Sequence, residues 1–248
     1  MKRNKFRQLY GIVAIYAIPL IKRNPIWMIT SLIIPFSFVV MFYFVGGKNL
    51  SVQAPVGALT ILSFNAGLVN LPQYLVMSKF RKFHYYFISA PISAILYNLG
   101  IAIAMLIPTI PGLIIMLLLC YILRAKFSIL GIGALILTIL LTWAIGSLFG
   151  FLIGMSFNSP MYISAIANTA GLLLGTLPPV YYPLNYVSFA WRNVLLIIPT
   201  VSSAHLMRWA LGTIKVSIAE IVLSCVILLI YVFIFTIVVQ RKTQWMES

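Results

Sequence analysis

Ile95–Leu123 reads ILYNLGIAIAMLIPTIPGLIIMLLLCYIL, a stretch without a charged residue, punctuated only by Pro108, Pro111 and two glycines. A helix rises about 1.5 Å per residue, so about 20 apolar residues cross the hydrocarbon of a bilayer. This run is long enough with a margin. Working outward from it, five more runs qualify: Ile26–Val45, Pro55–Met77, Phe127–Met155, Pro160–Leu177 and Val216–Gln240. Proline, glycine and clustered charge separate them. The expectation is an all-α integral membrane protein with six transmembrane helices, residues 1–248 forming one transmembrane domain.

Composition agrees. Of 248 residues 62% are hydrophobic and 8% charged, where a soluble domain carries about 25% charged residues. Lys and Arg number 17 against two acids, Glu220 and Glu247, and no Asp occurs. Such a balance in a soluble chain would suggest nucleic acid. Here the basic residues lie in short connections between apolar runs, where they orient helices and meet anionic lipid headgroups, so nucleic acid is not an expected partner. With the N-terminus cytoplasmic, the inside segments hold eleven basic residues and the outside loops six. That bias predicts a multi-pass protein of the cell (plasma) membrane with both termini cytoplasmic. Cys120 and Cys225 both sit inside apolar runs, which implies small buried hydrophobes and no disulfide framework.

Three segments fall outside a plain list of spans. Residues 1–24 carry Lys2, Arg3, Lys5 and Arg7, then an apolar run to Ile21, then Lys22 and Arg23. The apolar part is too short to span and has no small-residue cleavage site, so it reads as an amphipathic helix lying in the interface. Residues 78–93, SKFRKFHYYFISAPIS, cluster Lys79, Arg81 and Lys82, with Phe80, Phe83 and Phe87 at helical spacing. This is either a charged loop that sets topology or a short helix that docks a soluble partner. Residues 177–212 contain Pro178, Pro179, Pro183 and Pro199. They forbid one continuous helix, yet the segment is too apolar for a solvated loop. A re-entrant helical hairpin between the fifth and sixth spans accounts for both facts.

Absences narrow the chemistry. There is no G-x-x-x-x-G-K-[ST] loop to cradle ATP phosphates and no H-E-x-x-H, and His84 and His205 are far apart in topology. Neither a metal site nor a catalytic site is expected. Ion-coupled carriers bury several ionisable groups, and only Glu220 lies inside a span. Its simplest role is to pair with Lys215, Arg208 or Arg192. Gly146, Gly150 and Gly154 form one small-residue stripe, and Ala167, Gly171 and Gly175 a second; both suit close helix packing, within the chain or between chains. Asn65, Asn70 and Gln73 in the second run, and Ser164, Asn168 and Thr169 in the fifth, either line a path or join helices.

The order of parts resembles the ABC-type export permeases, the family of drug, lipid and polysaccharide exporters. Two stretches carry the resemblance: Arg81 through Pro91-Ile92-Ser93, and Pro178-Pro179-Val180-Tyr181-Tyr182-Pro183-Leu184 followed by Pro199 and Arg208. Where the family often has an acid and Gly-Thr after the basic pair, this chain has Phe83, His84 and Tyr85. The resemblance implies a permease homodimer or heterodimer bound to separate ATP-binding cassette subunits, with ATP and Mg on the partner and no cofactor in this chain. It implies coupling through Lys79, Arg81, Lys82, Phe83, His84 and Tyr85. It also implies a substrate path along the first, second and fifth spans, nominating Phe36, Phe42, Asn70, Gln73 and Asn168. The alternatives are an ion-coupled carrier or channel, and a non-transporting membrane anchor of a complex.

Overall fold

A computed structural model describes residues 5–23, 25–80, 93–123, 125–126, 128 and 129–242. Among them there is no strand. The helices are α1 (Lys5–Arg23), α2 (Pro25–Ser51), α3 (Gln53–Phe80), α4 (Ile95–Ile122), α5 (Ile129–Ser156), α6 (Pro160–Gly171), α7 (Phe189–Leu196), α8 (Pro199–Ala210) and α9 (Ile218–Lys242). Four of them, α3, α4, α5 and α9, are long and apolar enough to cross a membrane. The chain is a membrane-embedded helical protein.

Helix ends follow local chemistry. Ser93 and Ser128 cap α4 and α5, accepting from the N–H groups of Leu96 at 3.3 Å and Gly131 at 3.0 Å. Pro160 and Pro199 stand at the first turns of α6 and α8, where no intrahelical N–H is needed. Gly212 takes φ +61° just past α8, and the N–H of Thr213 returns to the Arg208 carbonyl at 3.0 Å; a left-handed residue there favours glycine. Gly47, at φ +61°, bends α2 before its last turn.

The helix α3 is the centre of the bundle: 83% of its apolar window is buried, against 11% in α9. It packs on α2, α4, α5 and α8. Its crossing with α5 is very close, because Cβ atoms at Gly67, Gly146 or Gly150 would strike backbone of the facing helix, and Gly154 abuts Pro72. The Gly146-Gly150-Gly154 stripe thus lies against α3 of the same chain. The second stripe does likewise, with Gly171 against Asn65 and Val69 and Gly175 against Ile61. Where lipid offers no hydrophobic drive, this proximity supplies the dispersion contact that holds two helices together.

The short helix α8 is buried along nearly its whole length between α3, α5 and α9. Its hydroxyl side chains are met by carbonyls. Ser203 donates to Pro199 at 2.8 Å, Thr200 to Leu174 and Ser202 to Leu196. Its far end is tied to the start of α3, where Gln53 Nε2 donates to the Thr213 carbonyl and the Thr213 hydroxyl to Gln53 Oε1, both at 3.2 Å. On the periphery α1 buries Ile12, Tyr16 and Ala17 and exposes Phe6, Tyr10, Ile15 and Ile18. Ile12 seats against Gly100 of α4.

Candidate functional site

Between α2, α3, α4 and α6 lies a groove of about 460 Å³. Its walls are irregular. In α3 a π turn, Ala66–Asn70, interrupts the helix, and a second π turn, Leu172–Thr176, continues α6. In α4 the 3-10 turn Ile107–Thr109 forms around Pro108. Asn65, Asn70 and Gln73 reach the groove from α3, Thr109 from α4, and Asn168 from α6. Ile34, Ile61, Val69 and Leu172 supply apolar wall, and no charged side chain is among the described lining residues.

The amides are oriented unequally. Asn168 Nδ2 donates to the Ser164 carbonyl at 2.8 Å and to the Ser164 hydroxyl at 3.3 Å, one turn back. Asn65 Oδ1 is buried with no hydrogen-bond partner. Thr109 donates its hydroxyl proton to the Leu106 carbonyl at 2.7 Å.

Of the five nominated path residues, Asn70, Gln73 and Asn168 meet at this groove. Phe36 and Phe42 do not line it. Phe36 is exposed on α2, and Phe42 stacks on Tyr181 at a centroid distance of 5.9 Å, beside Phe38 at 4.7 Å. That aromatic stack joins α2 to the Pro-rich segment instead. An amphipathic reading of α2 does not separate the two faces, since nearly every residue of its apolar run is hydrophobic. Asn65, Thr109 and Thr176 are groove residues that carry no motif of their own.

At the opposite end of α3, Lys79 Nζ donates to the Gly154 carbonyl at 3.4 Å. Arg81, Lys82, Phe83, His84 and Tyr85 lie outside the described residues. The chain on either side of them is joined by a polar node. Tyr16 Oη of α1 lies 2.8 Å from Tyr97 Oη and 3.4 Å from Ser78 Oγ, and Tyr74 packs edge-on against the Tyr16 ring at 5.4 Å.

Glu220 has a different partner from those expected. Its Oε2 lies 3.6 Å from His205 Nε2 of α8, in place of Lys215, Arg208 or Arg192. Arg208 is wholly buried and donates through Nη2 to the Val180 carbonyl, while Nε and Nη1 have no partner. Helical spacing explains the substitution, because His205 and Arg208 are three residues apart and share a face. Arg192 is held by its own loop, donating to the carbonyls of Val187 at 3.1 Å and Asn185 at 3.2 Å.

No protein-family model matches this chain, and no curated protein matches it.

Proposed function

We propose that this chain is the membrane-spanning permease subunit of an ATP-driven exporter of ABC type, working as a dimer with separate ATP-binding subunits. The observation that carries the reading is the groove. Three of its four walls, α2, α3 and α6, are the elements the resemblance nominates for a path, and its polar groups are uncharged amides and hydroxyls. A conduit through hydrocarbon needs polar groups that cost little when no cargo is present, and neutral amides meet that need better than charges do.

In this reading α2 and α6 are the first and fifth of six spans, and residues 177–212 re-enter from the outer side. The Pro160–Thr176 segment, shorter than the other spans, suits a helix that meets a re-entrant hairpin at its end. Beside the groove, Ile29, Ile33, Phe36, Val40 and Phe44 are exposed along one face of α2. That apolar stripe suits a seam with a second permease chain. The termini are cytoplasmic in the cell membrane. ATP hydrolysis, with its Mg, belongs to the partner subunit, and residues 79–89 transmit closure of that subunit as a two-state switch.

The carrier alternative has less support, because Glu220 is engaged in a helix cap and with His205. The test is a mild-detergent pull-down of the tagged chain from native membranes, with the eluate assayed for ATP hydrolysis. Arg81→Glu/Lys82→Glu is run beside it. A co-purifying ATP-binding subunit that is lost or uncoupled in the double variant supports the exporter. Recovery without any ATPase, under conditions that keep other membrane complexes intact, overturns it.

A further inference from the structure

Two wide turns face one groove, and the polar groups around them are neutral. π turns are rare in helices and recur at functional sites; here both contribute lining residues. The wall offers acceptors, and the amides of Asn70 and Gln73 offer donors as well. Asn65 Oδ1 is buried against Gly171 of α6 and is closed to a ligand. Asn168 has its amide nitrogen engaged on Ser164, which leaves its Oδ1 for a ligand. Thr109 has donated its proton to Leu106, which leaves oxygen lone pairs. Ile34, Ile61, Val69 and Leu172 offer apolar surface beside them.

Charge is the deciding feature. The chain carries a formal +15, yet no Lys, Arg, Asp, Glu or His is among the described residues lining the groove. A cationic ligand would leave water with no carboxylate to receive it, and an anionic one would meet no cation. Either transfer leaves a desolvated charge uncompensated. We propose that the groove binds an electrically neutral amphiphile whose head is rich in hydroxyl groups, which both donate and accept, and whose tail lies on the apolar wall. This deepens the exporter reading and rests on it, since only there is the groove a path for cargo. The same chemistry arises in a bilayer lipid with a sugar or polyol head and in a water-borne molecule of that kind.

The test uses the full chain in phosphatidylcholine nanodiscs, with Cys120 and Cys225 replaced by alanine and Thr176→Cys as a groove reporter. Its alkylation by a maleimide is timed with octyl glucoside, octyl sulfate or octyltrimethylammonium, each below its micelle threshold. A ligand at about twice its Kd leaves about a third of sites open, so the glucoside slows alkylation about threefold. The two charged probes leave the rate unchanged. Gln73→Leu abolishes the protection, and so does Asn168→Leu, whose exposed site tolerates the change without a folding cost. A Gly133→Cys reporter, in open space on α5, reacts at one rate throughout. Protection from dodecyl glucoside built into the disc, but not from soluble octyl glucoside, assigns a lipid source; the reverse assigns a water-borne one. Equal protection by all three probes, protection by a charged probe alone, or protection that survives both leucine variants overturns the proposal. Those outcomes leave the exporter reading to the ATPase pull-down, whose failure is read independently.

Discussion

Ser217 and Glu220 cap each other at the start of α9: the Ser217 N–H donates to Glu220 Oε2 at 3.2 Å, and the Glu220 N–H to Ser217 Oγ at 3.3 Å. Two N–H groups of the first turn are thereby met by side chains in a reciprocal box. Glu220 also sits at the positive end of the helix dipole. The one acid of the described chain therefore has a structural role that needs no proton. Ser217→Ala is expected to cost about 1 kcal/mol, a fall of about 2–4 °C in Tm for a chain of this size. Glu220→Gln, which keeps an acceptor, stays close to wild type in stability and in the proposed transport. Loss of transport in a stable Glu220→Gln protein would reinstate ion coupling.

Glycines at the α3–α5 crossing differ sharply from glycines elsewhere. A methyl group at Gly67 or Gly146 would meet main chain, whereas at Gly133 it meets nothing within 4 Å. Gly67→Ala and Gly146→Ala are each expected to lose about 1–3 kcal/mol by overpacking. Gly133→Ala is expected to gain about 0.5–1 kcal/mol through the higher helix propensity of alanine. Thermal unfolding in one detergent, read by circular dichroism, ranks the three.

Arg208 holds the Val180 carbonyl from inside the bundle. Removing the side chain orphans that carbonyl and opens a cavity, so Arg208→Ala is expected to lose about 2–5 kcal/mol. Arg208→Met refills the volume and removes a buried charge that has no carboxylate partner. It is expected to be clearly more stable than Arg208→Ala. Equal losses in the two variants would show that the guanidinium itself, and not its volume, holds the Pro-rich segment.

The Tyr16–Tyr97 contact ties α1 to the first turn of α4, next to the basic loop. Tyr16→Phe keeps the ring and is expected to cost about 0.5–1.5 kcal/mol, the net worth of a hydrogen bond. A double-mutant cycle with Tyr97→Phe measures the coupling directly. If the node also couples to the proposed ATP-binding partner, Tyr16→Phe lowers substrate-stimulated ATPase activity of the proposed complex more than it lowers Tm. A change in Tm alone assigns it a purely structural role.

Much of the helical layout is legible in the residue order, because a bilayer admits few solutions. Runs such as Ile95–Leu123 and Val216–Gln240 must form helices to satisfy their backbone in hydrocarbon, and α4 and α9 follow them to within a few residues. Ser217 and Glu220 have the spacing of a capping box, although the sequence expectation for Glu220 is a pairing with Lys215, Arg208 or Arg192. The π turns are not legible, since nothing in the local composition of Ala66–Asn70 or Leu172–Thr176 distinguishes them from ordinary helix. They lie where α3 meets α5 and α6, near Gly67 and Gly175.

Sequence by itself determined that this chain enters a membrane as helices, roughly where those helices begin and end, and that it carries almost no acid. Those properties belong to short windows, where hydrophobic length and proline placement act locally. Tertiary structure alone decided which faces meet. It set Phe42 on Tyr181 and away from the groove, gave Glu220 to His205, and gathered Asn70, Gln73 and Asn168 on one wall. The physical reason is rotational. In a helix that is apolar all round, no hydrophobic stripe records which side faces inward, so only the contacts among helices fix the rotation of each.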